Sequence, residues 1–79
     1  MSYRVQYTDQ ALDSLKKMSS RRRADFSREI GKVALNPYSH GSPVTGRDKR
    51  RAVLAGVVTD FWVSQGVLTV TVVSLVHTD

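Results

Sequence analysis

Arg47, Lys49, Arg50 and Arg51 put four cations within five consecutive positions, and Arg21-Arg22-Arg23 adds three more in a row. A guanidinium grips phosphate oxygens in two parallel bonds and keeps its proton, so such clusters suit phosphate binding and stabilisation of charge that develops on phosphate. His77 carries a group whose ordinary pKa of about 6.5 fits proton transfer, whereas His40 reads as plain surface. Trp62 offers a face on which a base stacks, or an apolar anchor for a protein partner. Val58, Val73 and Leu75 would extend that anchor into an exposed apolar patch, which favours the protein partner, and Asp60 beside it repels phosphate.

The remaining composition narrows the chemistry. Twelve Lys and Arg against seven Asp and Glu give a net charge of +5 in 79 residues, which favours a polyanionic partner such as nucleic acid or an acidic protein segment. The chain has no Cys, two His far apart and scattered carboxylates, so disulfides and thiolate chemistry are excluded and neither a metal nor another cofactor is expected. The longest apolar run is interrupted by Thr and too short to cross a bilayer, and no N-terminal signal pattern is seen, so a cytoplasmic protein without membrane association is expected. One domain over residues 1–79 is the expectation for this length.

The elements that must position these groups are legible from periodicity. Arg51–Ala55, Val57–Val63 and Val67–Val76 are rich in Val, Thr, Phe and Trp and predict a three-stranded meander, with Gly56 and Gly66 supplying positive φ at its two turns. In the middle strand Val57, Thr59, Phe61 and Val63 point one way and Val58, Asp60 and Trp62 the other. In the last strand Leu68, Val70, Val72 and Val76 are expected to meet helices, leaving Thr69, Thr71, Val73, Leu75 and His77 on the open side with Asp60. Arg50 and Arg51 alternate, so at least one of them faces that side.

Upstream, Tyr3, Val5 and Tyr7 alternate with Arg4 and Gln6, the pattern of a strand with one buried face. Ala11, Leu12, Leu15 and Met18 predict a short helix over Asp9–Met18 behind a Thr8 or Asp9 cap. A second helix, about Arg21–Leu35, is capped by Ser19-Ser20, buries Phe26, Ile30 and Val33 or Ala34, and stops at Asn36-Pro37. Arg21, Arg22 and Arg23 fall in its first turn. They form either a solvated face, with Asp25 pairing Arg21 or Arg22 and Glu29 pairing Arg22, Arg23, Arg28 or Lys32, or a phosphate-binding corner. Pro37–Asp48 reads as a surface loop.

This order of elements, the opening Tyr3-Arg-Val-x-Tyr-Thr, Ala11-Leu12-x-x-Leu15, the Leu35-Asn36-Pro37 stop, loop glycines Gly41 and Gly46, an Arg at the start of the meander and a late His resemble the RelE/ParE superfamily of bacterial type II toxin–antitoxin toxins. The resemblance implies an α+β fold of order strand-helix-helix-strand-strand-strand, with an αα-hairpin packed on a four-stranded, largely antiparallel sheet. It implies one of two activities. RelE-like members are mRNA interferases, endoribonucleases that cut mRNA on the ribosome without a metal, whereas ParE-like members poison DNA gyrase. A catalytically inactive module that keeps its antitoxin is the third reading. A RelB-like antitoxin is the implied partner, with operator DNA bound only through it.

Carried over by position, Arg51, or Arg50 one register away, matches the family's strand arginine, and His77 matches its late His. As an RNase the chain would use Arg51 with Arg50 to stabilise the phosphorane, His77 for proton transfer and Lys49 or Arg47 to hold the flanking phosphate, with Arg21, Arg22 and Arg23 as further phosphate contacts. Trp62, Val58, Val73 and Leu75 would bind the antitoxin. The chain departs from the family pattern where an arginine after the glycine turn falls on Val58 or Thr59, where Thr78 follows His77, and where Asp79 precedes any terminal Tyr.

Overall fold

The computed structural model describes residues 2–46 and 48–77, and His77 only in its backbone. Among them are β1 (Arg4–Tyr7), α1 (Asp9–Lys16), α2 (Ser20–Leu35), β2 (Ser42–Thr45), β3 (Lys49–Leu54), β4 (Val57–Ser64) and β5 (Thr69–His77), with 3-10 turns at Pro37–Ser39 and Gln65–Val67. The five strands form one sheet in the order β1-β5-β4-β3-β2. β1 runs parallel to β5 and the other neighbours are antiparallel. The α+β class and the helix pair agree with expectation, while the sheet has five strands because Ser42–Thr45, expected to be loop, pairs with the edge of β3.

Each helix starts at a hydroxyl cap, which satisfies one of the amides that a helix N-terminus leaves without a partner. Thr8 Oγ1 accepts from the Ala11 amide at 3.2 Å, and Ser19 Oγ from the Arg22 amide at 3.2 Å. α2 buries Phe26, Ile30 and Val33 against Val57, Phe61, Val63, Val70 and Val72 of the sheet, and its Ala34 is buried as well. α1 contributes Ala11, while Leu12 is 40% exposed, so the short helix buries a narrower stripe than its sequence suggests. Leu12 follows Ala11 by roughly 100° around the axis, which carries it onto the rim.

The β3–β4 turn needs positive φ at both central residues, and Ala55 (53°) and Gly56 (76°) supply it. The β4–β5 connection differs from expectation. Gly66 sits inside a helical turn, and the left-handed residue is Leu68 (φ 47°), placed where that turn hands over to β5.

The alternation of β5 also differs, and a β-bulge is the reason. Phe61 pairs with Val72 but Asp60 pairs with Ser74, so Val73 is the extra residue. Thr8 Oγ1 donates to the Val73 carbonyl at 2.8 Å, tying the bulge to the start of α1. Past this point the faces exchange: Leu75 pairs with Thr59 and is 6% exposed, whereas Val76 pairs with Val58 and is 58% exposed. Leu75 therefore belongs to the core and Val76 to the open side.

Candidate functional site

Helices cover one face of the sheet, and cross-strand pairing sorts the other face into rows. Val53, Val58 and Val76 form an apolar row beside the β3–β4 turn. Arg51, Asp60 and Ser74 form the next row, and Lys49, Trp62 and Thr71 the one after it, continued onto β1 by Gln6. The face is thus apolar at one end and becomes charged, then aromatic, toward the other.

The charged row is internally matched. Arg51 Nε donates to Asp60 Oδ1 at 2.6 Å and Nη2 to Oδ2 at 3.1 Å, a two-bond fork on the carboxylate. Ser74 Oγ reaches Asp60 Oδ2 at 3.5 Å. The Arg51 hydrogen bond holds the Asp60 carboxyl below the usual aspartate range, opposed by partial burial and reinforced by the charges of Arg51 and Lys49. The same bond raises the Arg51 guanidinium. In the following row the Lys49 ammonium lies 5.6 Å from the Trp62 ring centroid, within cation–π range. Trp62 is 43% exposed, so its ring remains available to a ligand.

Arg50 points the other way and does different work. It is 8% exposed, its Nε donates to the His40 carbonyl at 3.0 Å and its Nη2 to the Gly41 carbonyl at 3.1 Å, and it lies over the Tyr38 ring. Tyr38 Oη donates to Asp48 Oδ1 at 2.8 Å, which closes the loop from its far end. Gly41 allows the approach. A Cβ there would stand 2.2 Å from the Arg51 carbonyl oxygen, at a φ of 69° that side chains rarely adopt. Arg50 is therefore a loop clamp beneath the sheet, and its expected place beside Arg51 at a reacting phosphate is corrected: alternation along β3 separates the two.

The other expected residues are scattered. Arg23 Nη1 donates to the Leu15 carbonyl at 3.2 Å and so caps the end of α1. Arg21 and Arg22 line a shallow groove of about 580 Å³ with Ser19, Asp25, Arg28, Glu29 and Ala55. Asp25 pairs with Arg28 at 3.3 Å, and Glu29 pairs with Lys32 at 3.2 Å, one of the partners expected for it. Ala55 is six residues along the strand from Lys49, roughly 20 Å, which sets this groove apart from the charged rows. Arg47 and the His77 side chain lie outside the described residues; the His77 backbone pairs with Val57, whose side chain belongs to the core.

Of the expected partner-binding residues, Trp62 and Val58 share the open face, Val73 is half-buried at the bulge, and Leu75 is withdrawn into the core. Val53, 67% exposed, and Val76 take its place in the apolar row. The shift was signalled in the sequence. Thr69, Thr71 and Ser74 are spaced by two and then three, a break in alternation that marks the bulge. Among the described residues, no three His, Cys, Asp or Glu side chains are grouped as metal ligands would be.

The sequence matches no protein-family model and no curated protein. Solved structures are similar over the whole chain. The toxin–antitoxin complex RelBE2 of Mycobacterium tuberculosis aligns with a TM-score of 0.87 at 20% identity, covering 99% of this chain and 100% of that one. The intact RelBE complex of E. coli aligns at 0.83 and 20% identity, covering 99% of each chain. The archaeal RelE–RelB complex of Pyrococcus horikoshii aligns at 0.76 and 19% identity, covering 98% and 96%. The chain has the fold of the RelE toxins.

Proposed function

We propose that the chain is the toxin of a type II toxin–antitoxin module, a ribosome-dependent mRNA endonuclease held inactive by a RelB-like antitoxin. The supporting observation is the likeness, over 99% of this chain and 99–100% of the other, to RelBE toxin–antitoxin complexes. Cleavage would proceed by attack of a ribose 2′-hydroxyl on the adjacent phosphate, which needs cations where charge gathers on the phosphorane. Arg51 is the candidate for that charge, Lys49 for the flanking phosphate, and Trp62 for stacking a base. The apolar row Val53, Val58 and Val76 suits an amphipathic antitoxin segment.

A second reading, a gyrase-binding toxin or an inactive antitoxin-binding module, is favoured by one observation. Both β3 arginines have their forks engaged, Arg51 by Asp60 and Arg50 by loop carbonyls. Induced expression separates the readings. The nuclease is expected to halt translation and leave new 5′ ends in ribosome-bound mRNA, with Arg51→Ala lowering cleavage by about 100- to 1000-fold, as loss of one preorganised charge donor does. A DNA-damage response that rises first, with intact mRNA, would select the gyrase reading; neither effect would select the inactive module. Copurification of the product of a neighbouring gene tests the antitoxin.

A further inference from the structure

We propose that Asp60 is an internal competitor for the anion-binding fork of Arg51, one that screens the open face against free phosphate and admits a single-stranded RNA able to engage Lys49 and Trp62 as well. The proposal rests on the RNA reading of this face. Its basis is the geometry of the fork: both carboxylate oxygens of Asp60 occupy the positions that two phosphate oxygens would take. The two partners are also unequally held. The Asp60 side chain is 17% exposed and accepts from Ser74 as well, whereas the Arg51 side chain is 53% exposed. Arg51 is thus the half that can turn outward while the carboxylate stays in the sheet.

Because Arg51 and Asp60 are direct cross-strand partners, the carboxylate is present at the high effective concentration of any tethered group. A lone phosphate must displace it with one contact. An extended strand meets a different balance, since Lys49 lies two residues along β3, roughly 7 Å away, within reach of a neighbouring phosphate. Trp62, the cross-strand partner of Lys49, offers a ring to the base between them. Exposed ion pairs are weak enough for two added contacts to offset their loss. Asp60 therefore converts a general anion site into one that rewards length and a stacking base.

The test measures binding of a fluorescein-labelled oligouridylate by anisotropy, with inorganic phosphate as competitor, for the full chain and its Asp60→Asn, Arg51→Ala, doubly substituted and Asp13→Asn forms. Asp13→Asn changes net charge equally at an exposed site on α1. Asp60→Asn is expected to tighten oligouridylate binding about two- to fivefold, the scale of one released surface pair, and to make phosphate an effective competitor. Asp13→Asn should do much less, and the gain should vanish when Arg51 is also replaced. Equal gains from Asp13→Asn and Asp60→Asn, or a gain that survives without Arg51, would overturn the proposal. If oligouridylate binds no form but phosphate binds Asp60→Asn through Arg51, the competitor stands and the RNA reading falls. If neither anion binds any form, both fall.

Discussion

The two faces of the β3–β4 ribbon are built from alternate residues of the same strands, yet different rules govern them. On the helix side Ala52, Leu54, Val57, Thr59, Phe61 and Val63 are buried, and the one cation, Arg50, donates to two backbone carbonyls. On the open side Val53 and Trp62 stand in solvent, and the charges of Arg51 and Asp60 satisfy each other across the strands. The contrast teaches that an arginine's identity says little about its role. Arg50 and Arg51 are adjacent in sequence, and one is held by loop carbonyls while the other is held by the carboxylate of the neighbouring strand.

The strongest way to break this comparison is to truncate neighbours on opposite faces of β4. Phe61→Ala removes a fully buried ring and should cost about 3–5 kcal/mol, a large part of what a small domain has. Trp62→Ala removes a half-exposed ring and its cation–π contact, worth about 0.5–1 kcal/mol at such a site. Urea unfolding midpoints measure both. Similar losses would mean that the open face is packed in solution. The same logic applies along β3 with a smaller effect. Arg50→Ala leaves the His40 and Gly41 carbonyls without their donors and is expected to cost about 1–3 kcal/mol, while Arg51→Ala should melt close to the parent.

Much of this division was legible before the structure. Strict alternation in Val57–Ser64 put Phe61 in the core and Asp60 and Trp62 outside, and it follows from the pleat alone. The caps at Thr8 and Ser19 and the stop at Asn36 were equally local. The register of β5 was harder, because the bulge at Val73 depends on Thr8, 65 residues away in sequence, for one of its bonds. The role of Arg50 was hidden for a related reason. Two of its partners are main-chain oxygens in a loop whose path the sequence does not spell out, and β2 forms only because that path brings Ser42 and Pro43 alongside β3. Pairing between Arg51 and Asp60 required the register of β3 on β4, set by the Ala55-Gly56 turn.

The smallest effect probes the open face through its own carboxylate. The Asp60 carboxyl is held below the ordinary aspartate value, first by the Arg51 hydrogen bond, with burial opposing and the positive charges of Arg51 and Lys49 assisting. A carboxyl whose pKa is lower in the folded chain contributes stability that is fully present above its unfolded value of about 3.9, and that is lost as pH falls through the folded value. The deficit of Asp60→Asn in thermal unfolding should therefore be constant from neutral pH to about pH 5 and shrink in stronger acid, where the parent loses the charged pair too. Arg50 donates to the His40 and Gly41 carbonyls on the other face, so Arg50→Ala is scanned over the same range as the helix-side comparison. A flat Asp60→Asn deficit down to about pH 2 would show that the side chain acts by packing and not by its charge. A declining one would show that the charged pair is intact across the physiological range.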